Sequence, residues 1–120
     1  MERKATDYLE DIAQAIASIR AFTTPVDLNG YLKNEMMRAA VERKLGILGE
    51  ALAGFQRAFP VHKGKITPVA EISILRRQIA RGDATLNDSS VWEILHLYLP
   101  QLKREVADLL QEIGAQPRPN

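Results

Sequence analysis

The chain has 120 residues, 46% of them hydrophobic and 26% charged, with sixteen basic side chains against fifteen acidic and a net charge of +1. That is the composition of one ordinary domain able to bury a core without cross-links, not of a disordered chain, and its bulk charge favours neither nucleic acid nor membrane. Cysteine is absent and the two histidines are His62 and His96, so disulfides, thiol chemistry and Cys-ligated metals are excluded, imidazoles are too few for a typical His-based metal site, and no cofactor is expected.

The opening Met1-Glu2-Arg3-Lys4 has no apolar run behind it, and no window approaches a membrane span, so a cytoplasmic protein without membrane association is expected. From Tyr8, the residues Leu9, Ile12, Ile16, Ile19 and Phe22 recur at steps of three and four, predicting a first helix that Thr23-Thr24-Pro25 stops. Asp27 can cap a short helical turn carrying Leu28, Tyr31 and Leu32. Asn34 can cap a long helix through Met37, Ala40, Val41, Leu45, Leu48, Leu52, Phe55 and Phe59. Gly46, Gly49 and Gly54 interrupt that helix at about 1 kcal/mol each relative to Ala, which points to close helix–helix approach. Its apolar residues, Met36, Ala39 and Ile47 among them, lie on more than one side, so a subunit interface and a homodimer are expected.

Residues 60–68 read as a loop, with Thr67 a candidate N-cap and Pro68 the first helical position of a third helix carrying Val69, Ile72, Leu75 and Ile79. It ends near Gly82-Asp83. Asn87-Asp88-Ser89-Ser90 offers several caps for a fourth helix, Ser90 and Glu93 having capping-box spacing. That helix carries Val91, Leu95, Leu99, Leu102, Val106, Leu109 and Ile113, and Pro100 is expected to kink or divide it. No strand-like alternation intervenes. The expected architecture is all-α: a single antiparallel four-helix bundle over residues 1–114 with an additional short helix, and a flexible tail at 115–120.

The chain carries no glycine-rich phosphate loop, HExxH or GxSxG signature. The charge is nevertheless uneven. From Arg57 to Arg81 there are six basic residues (Arg57, Lys63, Lys65, Arg76, Arg77 and Arg81) against Glu71 alone, so this segment is +5 and the remainder −4. Arg77 and Arg81 share a helix face one turn apart, where two guanidinium groups repel unless an anion or an acid lies between them. Phosphate suits the guanidinium fork; a solvated basic face, or pairing with acids such as Asp83, satisfies the same pattern.

Several stretches together resemble the HepT-like proteins, a branch of the HEPN superfamily of small helical bundles. They are Met1-Glu2-Arg3 with Tyr8-Leu9-x-Asp11-Ile12; Tyr31-Leu32; Ala40-Val41-Glu42-Arg43-Lys44-Leu45-Gly46-Ile47-Leu48-Gly49-Glu50-Ala51; Val91-Trp92-Glu93; and Leu99-Pro100-Gln101-Leu102-Lys103. The similarity runs from Met1 to about Ile113. It implies a dimeric, metal-independent endoribonuclease toxin whose site is an Arg-Asn, several residues, His-x-Tyr motif on the third helix, facing a shared cleft. It also implies a partner antitoxin, a minimal nucleotidyltransferase of the MntA type that attaches AMP to the motif tyrosine.

The corresponding stretch is Leu75-Arg76-Arg77-Gln78-Ile79-Ala80-Arg81-Gly82-Asp83. Arg76 keeps the arginine position, Arg77 replaces the asparagine, Arg81 stands at the histidine and Asp83 at the tyrosine. The resemblance therefore assigns Arg76, Arg81 and Asp83 to the catalytic positions, with Arg76, Arg77, Arg81, Lys63 and Lys65 as RNA or phosphate contacts and no metal ligand. Attack by a 2′-hydroxyl needs a group that exchanges a proton near neutral pH, as histidine does and arginine does not. Weak or absent ribonuclease activity is expected, with binding of RNA, a nucleotide or the nucleotidyltransferase partner retained. The alternatives are an active endoribonuclease with a rearranged site and a purely structural interaction bundle. A composite site would need His62 or His96 from a dimer partner.

Overall fold

The computed structural model describes residues 3–67, 69–81 and 87–115. Among these residues there is no strand and there are five α-helices: α1 (Ala5–Thr23), α2 (Leu28–Lys33), α3 (Glu35–Ala58), α4 (Val69–Ala80) and α5 (Asp88–Ala115). A 3-10 turn, Pro60–His62, follows α3. Pro68, Gly82, Asp83 and residues 116–120 lie outside the described residues, as do the side chains of Val69 and Ile79.

The helix starts are set by short polar side chains. The Asp27 carboxylate accepts from the Gly30 amide at 2.8 Å and opens α2. Asn34 Oδ1 accepts from the Met37 amide at 2.9 Å and opens α3. At α5 the cap is Asn87, whose Oδ1 accepts from the Ser89 amide at 2.9 Å and the Ser90 amide at 3.3 Å. Ser90 already lies inside the first turn, so the expected Ser90–Glu93 capping box does not mark the start. Thr67, a candidate cap for α4, engages α5 through its hydroxyl, which meets Glu105 and accepts from Gln101.

Pro100 does not divide α5, which runs unbroken from Asp88 to Ala115. Leu99 and Leu102 on either side of it are buried, so packing holds the helix while one backbone hydrogen bond is lost.

The predicted stripes meet in one core: Leu9, Ile12, Ile16 and Ile19 of α1; Val41, Leu45, Leu48, Leu52 and Phe55 of α3; Ile72 and Leu75 of α4; and Val91, Leu95, Leu99, Leu102, Val106 and Leu109 of α5. Tyr8 at the start of α1 touches Phe59 just past α3, ring centroids 6.2 Å apart, so α1 and α3 are antiparallel. Tyr31 of α2 packs on Trp92 of α5 at 5.1 Å.

A Cβ on Gly54 would lie 2.6 Å from the Tyr8 ring, and one on Gly49 would lie 2.5 Å from Cδ of Arg76. Close approach explains these two glycines. It does not explain Gly46, where nothing lies within 4 Å. No described helix is long and apolar enough to cross a membrane.

Candidate functional site

Helix α4 turns its apolar residues Ile72 and Leu75 into the core, which places the adjacent arginines on its flanks. The Arg76 stem lies against the bare backbone of α3: the missing Gly49 Cβ would fall 2.5, 2.8 and 2.9 Å from Arg76 Cδ, Cβ and Cγ. The side chain is half-buried, and its Nε is sealed from solvent without a hydrogen-bond partner. Arg77 is exposed. Arg81, also exposed, continues the last turn, its amide donating to the Arg77 carbonyl at 3.1 Å. Arg76 is therefore seated on α3 while Arg77 and Arg81 lie one turn apart, as their spacing predicts.

The lysines do not join this cluster. Lys65 pairs with Glu112 of α5 at 2.7 Å, and that hydrogen bond holds the Glu112 carboxyl below its ordinary range. Lys65 precedes α4 and Arg81 follows it, and a helix of this length separates its ends by roughly 18 Å. Lys63 is exposed and lies before α4 with Lys65. The basic segment is thus split between the two ends of α4, because linear proximity across a helix is not spatial proximity. The Lys65–Glu112 ion pair ties the loop to α5.

His62 is buried, its ring stacked on Phe55 at 5.8 Å and 9°, with Nδ1 unpartnered. His96 is exposed on α5; its Nδ1 lies 2.9 Å from the Trp92 carbonyl and its ring packs on the Trp92 ring at 4.1 Å. Neither histidine accompanies the arginines on α4. No group of three or more metal-ligating side chains occurs among the described residues.

A second polar cluster joins α2, α3 and α5. Arg38 Nε lies 3.4 Å from Asp88, and its Nη1 donates to the carbonyls of Tyr31, at 3.3 Å, and Leu32. Burial, reinforced by Asp88, pushes the Glu42 carboxyl above its ordinary range, and burial does the same to the Tyr31 phenol. Sequence reasoning missed this cluster, whose members lie far apart in the chain. It also singled out the Ile47-Leu48-Gly49-Glu50-Ala51 stretch without seeing that Gly49 is the seat of Arg76.

This geometry defines an all-α bundle with an arginine-bearing helix packed against a glycine-containing one. The model of the family described as "Ribonuclease HepT-like" matches residues 12–109, and the chain belongs to this family. It is 31% identical over 103 residues to the "Probable ribonuclease HepT" of Thermococcus cleftensis, covering 86% of this chain and 93% of that one. A "Putative RNase" of Methanocaldococcus jannaschii is 30% identical over 105 residues, with 88% and 95% covered. Another, of Caldanaerobacter subterraneus, is 26% identical over 105 residues, with 88% and 93% covered. No solved structure matches the chain.

Proposed function

We propose that this chain is an RNA-binding member of the HepT-like family that holds phosphate through α4 arginines and has lost the proton-transferring group of the ribonuclease site. The observation that carries this reading is Arg81, one turn beyond Arg77, at the position the motif gives to histidine. A guanidinium fork matches a phosphate oxygen pair bidentately and can stabilise developing charge. A guanidinium stays protonated at neutral pH and so does not remove a proton from a 2′-hydroxyl. Arg76, seated on α3, and Arg77 and Arg81 beyond it supply binding and positioning without the base. Asp83 holds the motif's last position in sequence, where a carboxylate in place of the tyrosine phenol removes the family's acceptor for AMP.

The apolar excess on α3 supports a homodimer: Met36 is 83% exposed and Ala39 is exposed. In a dimer the two arginine clusters would face a common cleft. A nucleotidyltransferase antitoxin of the MntA type remains the partner the family implies, and a cysteine-free chain suits a cytoplasmic site of action. Incubation of purified protein with RNA, with and without EDTA, tests the catalytic part. RNA is expected to stay intact, while binding falls steeply with salt and falls again in Arg77→Ala and Arg81→Ala. Cleavage abolished by Arg76→Ala would instead establish the second reading, an active endoribonuclease with a rearranged site, which the names of the relatives favour.

A further inference from the structure

Away from α4, a cleft of about 220 Å³ opens between the end of α1 and the middle of α5. Arg20, Thr24 and His96 line it over a floor of Leu95, Leu99 and Pro100. It adjoins a groove of about 190 Å³, also between α1 and α5, walled by Ala13, Ala17, Ala107 and Leu110 with Lys103 at its edge. Arg20 lines both spaces. No acidic residue lines either, and no ion pair among the described residues involves Arg20 or Lys103.

Each polar group here has one side committed and one side open. A carbonyl only accepts, so His96 Nδ1 carries the proton it shares with the Trp92 oxygen, and Nε2 on the far edge of the ring is available to a ligand. The Thr23 and Thr24 hydroxyls donate to the Ile19 and Arg20 carbonyls at 2.9 and 2.6 Å. Pro100 has no amide hydrogen, so the His96 carbonyl loses its helical donor and is left as an acceptor. Alanines at 13, 17 and 107 keep the neighbouring slot open where larger side chains would fill it.

A guanidinium, two acceptors (His96 Nε2 and the His96 carbonyl) and a narrow apolar slot fit a phosphate ester that also bears hydroxyls and a flat body. We propose that this α1–α5 cleft is a nucleotide-binding site, with Arg20 on the phosphate, His96 Nε2 and the His96 carbonyl accepting from ribose hydroxyls, and the nucleoside in the alanine-walled groove. The phosphate comes either from a free mononucleotide or from the 5′ end of an RNA strand. The site is independent of the α4 arginines and does not rest on the function proposed for them.

The test is an amide-resolved NMR titration of the full chain with inorganic phosphate, AMP, and short oligoribonucleotides carrying a 5′-phosphate or a 5′-hydroxyl. AMP is expected to shift Arg20, Thr24 and His96, to bind at least tenfold more tightly than inorganic phosphate, and to weaken about tenfold or more in Arg20→Gln and to a smaller extent in His96→Gln. Arg20 and His96 are exposed, so both variants should fold, which circular dichroism checks. Tighter binding of the 5′-phosphorylated strand than of AMP assigns the site to an RNA end; the reverse assigns it to a free nucleotide. Shifts confined to α4, affinity unchanged in Arg20→Gln, or equal affinity for phosphate and AMP would overturn the proposal. Failure of the α4 reading registers separately, as insensitivity of RNA affinity to Arg77→Ala and Arg81→Ala.

Discussion

Gly49 and Gly46 lie three residues apart in α3, and their surroundings predict opposite responses to the same substitution. Gly46→Ala adds a methyl group where nothing lies within 4 Å. It should stabilise the protein by roughly 0.5–1 kcal/mol through helix propensity, read as a higher urea midpoint. Gly49→Ala places its Cβ 2.8 Å from Cβ of Arg76, which cannot swing aside, so α3 and α4 must separate. Overpacking of about 1–3 kcal/mol should outweigh the propensity gain, lowering the midpoint and weakening RNA binding together. Glu42 gives a residue-scale prediction in pH. Its folded-state carboxyl is raised, first by burial and then by Asp88, so the folded protein binds this proton more tightly than the unfolded chain. The resulting stabilisation is complete below the unfolded carboxylate range and is lost as pH rises through the raised value. Glu42→Gln is therefore expected to melt higher than the parent at neutral pH, with the difference closing on acidification. Glu112 has the opposite sign: its lowered carboxyl favours the fold above the ordinary carboxylate range and loses that contribution as pH falls.

At the scale of elements, α5 is the member whose local chemistry and packing disagree. Proline in a helix interior costs about 3 kcal/mol or more, yet α5 is continuous through Pro100 because Leu95, Leu99, Leu102 and Val106 are buried along one face. Pro100→Ala restores a donor for the His96 carbonyl. It should raise the melting temperature, with part of the gain offset by the greater freedom of the unfolded chain. If the nucleotide proposal holds, the same change should weaken AMP binding by removing the open acceptor. Helix α4 has the contrary problem: it is short and uses its flanks for charge. Its placement rests on Ile72 and Leu75 in the core and on Thr67 bonded to Glu105 and Gln101 just ahead of it. Leu75→Ala, adjacent to the arginines, should cost about 2–5 kcal/mol, measured by denaturant unfolding.

For the whole molecule, the net charge of +1 conceals the quantity that matters, the distribution of charge over the folded surface. Light scattering at micromolar concentration is expected to give about twice the chain mass of 13.4 kDa. Met36→Lys is expected to shift the population toward the monomer by placing a charge on an apolar face. The helices, most of their caps and the core stripes were legible in the residues. Apolar periods of three and four, capping side chains and motif spacing are local properties of the chain. Tertiary structure alone decided that Gly49 seats Arg76 while Gly46 seats nothing, that Lys65 belongs to Glu112, that His62 is packed under Phe55, and that Arg20 and His96 share a cleft. Each joins residues on different elements, and periodicity says which face of a helix is buried but not which neighbour covers it. Helix crossing, set by core packing across the chain, makes that choice.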